Sequence, residues 1–139
     1  MLSSQTILLL QAFPSIVRLM RALRFLLLLE AATFSLAALI HLGNLVEGYR
    51  HQAAATGESV IACVLLGGLA LTWAPAPWSR RAFIAAQVFA ILGVSVGLAT
   101  IAIGVGPRTF PDIAYHVTIL GVLVAGLTVT VRRAPATER

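Results

Sequence analysis

The sequence has no lysine, only one cysteine and few charged side chains of either sign. Of its 139 residues, 11% are charged and 59% are hydrophobic, and the mean hydropathy is +0.94. Soluble domains have about 45–50% apolar and about 25% charged residues. The composition therefore excludes an ordinary water-soluble globular domain and predicts an integral membrane protein.

Further absences exclude several kinds of site. Cys63 has no second cysteine with which to form an intramolecular disulfide, and zinc or iron–sulfur sites built on cysteine need several thiolates. The arginines lie at the ends of apolar runs rather than along one face among aromatic residues, so the net charge of +5 does not indicate nucleic-acid binding. Phosphate-binding, dinucleotide-binding and nucleophile-elbow motifs are absent from the sequence.

Four apolar runs are long enough to cross a bilayer. A hydrocarbon core of about 30 Å needs about 20 apolar residues in a helix. Helices are the predicted form, because a helix satisfies its backbone groups internally and four segments are too few for a closed barrel. The predicted spans are residues 23–43, 58–74, 82–105 and 113–131, which form one transmembrane domain from residue 23 to residue 131.

The arginines predict the orientation of this all-α, antiparallel four-helix bundle. Positively charged residues are enriched in cytoplasmic segments. Eight arginines fall on the side of the termini, and only Arg50 and Arg108 fall on the other side. Both termini are therefore predicted to be cytoplasmic, in a multi-pass protein of the inner membrane. Residues 132–139 would form a cytoplasmic tail and residues 1–22 a cytoplasmic or interfacial segment; the sequence does not distinguish a start at Met1 from one at Met20.

Polar residues inside apolar spans are costly and are therefore candidate functional residues. Four of them are predicted to lie at one level near the extracytoplasmic surface. His41 lies at the end of the first span and Glu58 begins the second, while Asp112 and His116, four residues apart, share one face at the start of the fourth. The residues expected to surround this cluster are Glu47, Arg50, His51, Arg108 and Tyr115.

Two imidazoles and two carboxylates suit a divalent transition metal, which prefers nitrogen and oxygen ligands. This predicts a metal site in the cluster, over which the loop residues Glu47 and His51 would close. A simpler interpretation competes with it. Asp112 would stabilise the positive N-terminal end of the fourth helix and hydrogen-bond His116, and Glu58 would stabilise the start of the second helix.

Haem b is a second cofactor that the cluster suits. His41 and His116 come from antiparallel helices at similar depth, and neutral imidazoles are common axial ligands of haem iron. Arg50 and Arg108 lie on the same side and would bind the propionates. In this feature alone the sequence is similar to the cytochrome b-type subunits of respiratory complexes.

Glu30 lies apart from the cluster, about 10 Å into the first span. A charge at that depth is costly, so this carboxyl is expected either to be protonated and hydrogen-bonded or to bind a cation. A lone carboxylate in the first of four helices is similar to the layout of the small multidrug resistance transporters. That resemblance implies proton-coupled transport at Glu30, although the two intramembrane histidines and the long first loop depart from the pattern of that family.

Small residues follow one face of the third span, at Ala86, Ala90, Gly93 and Gly97. Such a face lets another helix approach closely, within the chain, in a homo-oligomer or in a larger membrane complex. Polar residues of this span are expected to make interhelical hydrogen bonds rather than to bind ligands; they are Gln87, Ser95 and Thr100.

The sequence thus predicts a small polytopic inner-membrane protein with a His/carboxylate site near the extracytoplasmic surface, binding a metal ion or haem for redox chemistry or transport. Its partners would be the lipid bilayer and other membrane helices, with no nucleic acid. One alternative is a non-catalytic accessory or structural subunit whose polar residues only hydrogen-bond their neighbours. The other is a proton-coupled transporter that uses Glu30. No catalytic residue is assigned.

Overall fold

The computed structural model describes the backbone of residues 4–132 and the side chains of residues 17–75 and 78–132. Within this part of the chain the regular secondary structure is entirely helical. The helices are α1 (Ser4–His41), α2 (Gln52–Leu71), α3 (Ala76–Ile103) and α4 (Phe110–Arg132). The segments long and apolar enough to cross a membrane are Val17–His41, Gln52–Leu71, Trp78–Ile103 and Phe110–Arg132. The four predicted spans are therefore confirmed as helices of membrane-spanning length.

Neighbouring helices run in opposite directions. His41 at the end of α1 contacts Glu58 near the beginning of α2, whereas Arg24, well before it in α1, donates a hydrogen bond to the backbone of Thr72 just after α2. The helices pack closely in chain order, α1 on α2, α2 on α3 and α3 on α4, while α1 and α4 touch much less. The fold is an antiparallel four-helix bundle with a groove between α1 and α4.

The helices begin earlier than the apolar runs predict. In α2 the reason is a polar N-terminal cap. His51 caps α2, and its Nδ1 accepts a hydrogen bond from the backbone N–H of Ala54 at 3.2 Å. A search for apolar runs does not detect a capped polar first turn. Glu58 consequently lies in the second turn of α2, and its predicted role at the N-terminus of that helix is wrong.

The backbone of α1 continues without a break through position 22, where the sequence analysis ends the N-terminal segment. The placement of that segment at a membrane surface and a start at Met20 stay predictions. Residues 133–139, which make up most of the predicted tail, lie outside the described residues.

The interior of the bundle is apolar, and so is most of its outer surface. Many large hydrophobic side chains are exposed on all four helices, an arrangement that suits contact with lipid rather than water. The large apolar side chains that are almost completely buried are Leu27, Phe34, Leu65, Phe83, Val94 and Leu123. Polar groups inside such a bundle are exceptions that need an explanation.

Both tryptophans lie near the turn between α2 and α3: Trp73 is in the turn and Trp78 is in the first turn of α3. The guanidinium groups of Arg24 and Arg81 lie 4.6 and 5.7 Å from the ring centroids of Trp73 and Trp78. Exposed indole rings beside arginines are typical of a membrane–water interface. This end of the bundle is called the tryptophan end below, and the opposite end, where α1 ends, is called the His41 end.

Small residues bring α2 and α3 together, as the small-residue face of α3 predicts. A Cβ atom on Gly68 would lie only 2.6 Å from the Cβ of Ala86. On the preceding residue, Gly67, a Cβ would meet no atom within 4 Å. The two adjacent glycines therefore occupy very different surroundings.

We expect Gly68→Ala to lower the free energy of unfolding by about 1–3 kcal/mol, because the added methyl group pushes α2 away from α3. Gly67→Ala is the control, and there the higher helix propensity of alanine is expected to add up to about 1 kcal/mol. Thermal unfolding in detergent compares the variants. Equal melting temperatures would contradict the close packing of α2 on α3.

Candidate functional site

His41 is held between two carboxylates at the His41 end of the bundle. Its Nδ1 lies 2.7 Å from Oε2 of Glu58, and its Nε2 lies 3.2 Å from Oδ1 of Asp112. None of the three residues is more than 4% exposed. The imidazole therefore joins α1 to both α2 and α4, and we call this Glu58–His41–Asp112 arrangement the His41 bridge.

The loop after α1 folds back over the bridge. Gly43 and Gly48 both have φ of 79°, a left-handed conformation that glycine adopts without steric cost. The loop returns so closely that the backbone N–H of His51 donates to the carbonyl of His41 at 2.8 Å. As a result, the ring of Tyr49 stacks on the imidazole of His41 with a centroid distance of 5.5 Å.

Asp112 uses its second carboxylate oxygen to cap α4. Oδ2 accepts from the backbone N–H of Thr109 at 3.2 Å, from the Thr109 hydroxyl and from the Tyr49 hydroxyl. The backbone N–H of Asp112 donates to Oγ1 of Thr109 at 3.4 Å. This reciprocal pattern is a capping box. Asp112 thus stabilises the start of α4, as the simpler sequence interpretation predicts, and joins the His41 bridge at the same time.

The sequence analysis missed Tyr49 and Thr109. The Thr-x-x-Asp spacing of Thr109 and Asp112 is a local signal of a capping box. Tyr49 has no such signal, because the tertiary path of the loop brings it to Asp112. Burial and the hydrogen bond to the Asp112 carboxylate raise the pKa of the Tyr49 phenol above its ordinary value, which keeps it a neutral donor.

His116 lies beside the bridge rather than within it. Its Nδ1 donates to the backbone carbonyl of Asp112 at 2.8 Å, not to the carboxylate. A carbonyl oxygen only accepts, so Nδ1 carries the proton and Nε2 of the neutral ring is an acceptor. Nε2 lies against α3 at Gly97, where a Cβ would be 2.9 Å away. The absence of a side chain on Gly97 makes room for the imidazole.

The charged residues predicted to surround the cluster take other positions. Arg108 donates from Nε and Nη2 to two backbone carbonyls at the end of α3, both at 2.9 Å, and so caps that helix. Glu47 and Arg50 are exposed, and within residues 17–75 and 78–132 neither forms a hydrogen bond with the bridge. His51 caps α2, with its ring 6.4 Å from that of His41.

Among the described residues no group of three or more His, Cys, Asp or Glu side chains is arranged to hold a metal ion. The bridge gives the physical reason. Both ring nitrogens of His41 face carboxylate oxygens, whereas a metal or haem ligand needs a nitrogen lone pair directed at the metal. His116 keeps one unengaged nitrogen, Nε2, beside Gly97 of α3, which is a single ligand rather than the pair of imidazoles that the prediction needs. This arrangement does not support the expected ligation of a metal or haem by His41 and His116.

Two cavities flank the bridge. The α2/α3 cavity, of about 170 Å³, reaches Glu58 and His116. The α1/α4 groove, of about 380 Å³, reaches His41 and Asp112. Both are lined mainly by apolar side chains, so the bridge is the main polar feature that the two cavities share.

A second buried polar pair joins α1 to α3. Nε2 of Gln87 donates to Oε2 of Glu30 at 2.5 Å, and both residues are 0% exposed. The Oε1 atoms of both residues have no hydrogen-bond partner among the described residues. A carboxylic acid and a primary amide can form a second hydrogen bond, from the acid O–H to the amide oxygen, and that bond would use both atoms. The pair suits a protonated, hydrogen-bonded Glu30, and Gln87 makes the interhelical bond that the sequence predicts.

Comparisons with protein-family models, with curated proteins and with solved structures find no match for this chain. Its four apolar helices suggest a multi-pass membrane protein. A more specific function has to be argued from the geometry of the site.

We expect Glu30→Ala to lower the free energy of unfolding by about 2–4 kcal/mol, because it leaves a cavity and a buried Gln87 donor without an acceptor. Glu30→Gln keeps an acceptor oxygen of the same shape and is expected to cost less than about 1 kcal/mol. Thermal unfolding in detergent measures both. If Glu30→Gln were as unstable as Glu30→Ala, the charge of Glu30 would be what the bundle requires, and the acid–amide pairing would be wrong.

Proposed function

We propose that this is a small multi-pass protein of the inner membrane that takes up and releases protons at the His41 bridge and moves them across the membrane down their electrochemical gradient. One observation carries the proposal. A buried imidazole hydrogen-bonds two carboxylates, while Oε1 of Glu58 has no hydrogen-bond partner among the described residues.

The proton count of the bridge supports this function. Two hydrogen bonds along the bridge need two protons, and a neutral imidazole supplies only one N–H. The second proton lies either on His41 or on a facing carboxyl. In both cases the three groups together carry one net negative charge. A net charge in apolar surroundings is costly, so uptake of one further proton is favourable.

Glu58 is the group that we expect to take up this proton, because its Oε2 is engaged by His41 and its Oε1 is not engaged. The α2/α3 cavity reaches Glu58 and is lined farther along by the loop segment 105–107. It therefore provides a path between Glu58 and the His41 end of the bundle. Proton transfer requires such a donor or acceptor within hydrogen-bond reach or connected through water.

The arginine distribution supports placing the His41 end on the extracytoplasmic side. Among the arginines that the structure describes, only Arg50 and Arg108 lie near that end. The arginines of the described residues that lie toward the tryptophan end are Arg18, Arg21, Arg24, Arg80, Arg81 and Arg132.

A structural role is the competing function, because the same bridge holds three helices together. A purely structural bridge would affect stability when it is altered but would not affect proton movement. The two functions are therefore separated by an assay of proton movement in folded variants.

We expect proteoliposomes of the wild-type chain, driven by a potassium diffusion potential and read with an internal pH-sensitive dye, to move protons faster than protein-free liposomes. Glu58→Gln removes the exchangeable carboxyl with little change in shape. It is expected to lower the rate by about tenfold or more, as loss of a proton-transfer group does.

Glu47→Gln is the matched control, since Glu47 is an exposed carboxylate at the same end of the bundle, and it is expected to keep the wild-type rate. The proposal fails if the wild-type rate equals that of protein-free liposomes, or if folded Glu58→Gln moves protons as fast as the wild type.

A further inference from the structure

The α2/α3 cavity ends at polar atoms that lack partners within the described part of the chain. Glu58, only 4% exposed, lines the cavity, and its Oε1 has no hydrogen-bond partner. His116 lines the same cavity, and its Nε2 makes no hydrogen bond while its Nδ1 is engaged by a backbone carbonyl.

The hydrogen-bonding character of these atoms indicates a donor ligand. A carboxylate oxygen is an acceptor only, and in the neutral form of His116 with its proton on Nδ1, Nε2 is an acceptor. A group with several N–H donors and no acceptor, such as an ammonium group, matches this set.

The charge of the site favours the same ligand. The His41 bridge carries one net negative charge, and a monovalent cation at Glu58 Oε1 would neutralise it. The ring of Phe34, which also lines the cavity, would contribute a favourable cation–π contact. A neutral amide or alcohol would provide the hydrogen bonds but would leave the charge uncompensated.

The remainder of the cavity selects for an apolar group on the ligand. Its walls include Ile61, Val94 and Ile101, and its volume of about 170 Å³ is close to that of an apolar cavity that holds one benzene molecule. The ligand would therefore combine one ammonium group with a hydrocarbon group of about six or seven carbon atoms.

We propose that the α2/α3 cavity binds a small primary alkylammonium or arylalkylammonium ion, with its ammonium group on Glu58 and His116 and its hydrocarbon group between α2 and α3. This inference names the substrate class of the site described above, and its transport aspect rests on the proposed function. In transport, the organic cation and the proton would alternate at the same carboxylate. Binding itself is independent of proton movement.

The test uses the full chain in lipid nanodiscs, with 4-fluorobenzylammonium observed by ¹⁹F NMR and empty nanodiscs subtracted. We expect saturable binding of one ion per chain, with a Kd on the order of 1 mM for a ligand of this size. Unlabelled benzylammonium should displace it. Glu58→Gln should weaken binding by about tenfold or more, because the acceptor loses its charge.

Gly57→Leu keeps the polar end intact and tests the cavity itself. Gly57 lines the cavity, and a Cβ atom added there would meet no atom within 4 Å, so the backbone at this position accepts a side chain that extends into open space. It is expected to weaken binding. Gly67→Leu is the matched control, because Gly67 lies on the same helix in similarly open space and does not line this cavity.

Four results would overturn the proposal. The first is the absence of saturable binding, and the second is that Glu58→Gln and Gly57→Leu both bind as tightly as the wild type. The third is that benzyl alcohol displaces the probe as effectively as benzylammonium does. The fourth is that ammonium or sodium ions displace the probe as effectively as benzylammonium does. The last two would indicate an apolar cavity and an inorganic cation site, respectively. Amine binding without proton movement in liposomes would refute the proposed function alone, and proton movement without amine binding would refute this inference alone.

Discussion

The hydrogen bonds from the His41 imidazole to Glu58 and Asp112 are the interaction on which the architecture of the His41 end depends. They place the end of α1 against the second turn of α2 and the first turn of α4. The loop after α1 then closes over the ring through Tyr49. Thr109 and Tyr49 also donate to Asp112, but among the described residues the imidazole is the only hydrogen-bond partner of the Glu58 carboxylate. The geometry of the three helices is therefore tied to the placement of one imidazole.

The same bridge supports the proposed occupants of the site, a proton or an organic cation, over a metal ion. An imidazole whose two nitrogens both face carboxylates has no lone pair to offer a metal, but it fixes the carboxylates and leaves them one charge in excess. Glu58 then has one engaged and one unengaged oxygen. The unengaged oxygen lies beside a cavity through which a cation could reach it. A purely structural ion pair would need neither the unengaged oxygen nor the cavity.

The sequence predicts the number of helices well, because apolar length is a strong local signal. Isolated polar groups in apolar spans are a local signal too, and they single out the residues that the structure places in or beside the bridge. It places His41, Glu58 and Asp112 at one level, and the structure brings them into contact. Helix beginnings are predicted less well, because polar capping residues such as His51 start α2 before its apolar run. Tyr49 and the pairing of both His41 nitrogens depend on tertiary contacts, for which no local pattern exists.

The most direct test of this account is the ¹⁵N NMR spectrum of His41 in lipid bilayers, assigned by comparison with His41→Asn. The account predicts that both ring nitrogens are hydrogen-bonded, that Glu58→Gln shifts mainly the Nδ1 signal, that Asp112→Asn shifts mainly the Nε2 signal, and that zinc ions change neither. A ring nitrogen with a free lone pair that is insensitive to both substitutions and shifts on addition of zinc would contradict it.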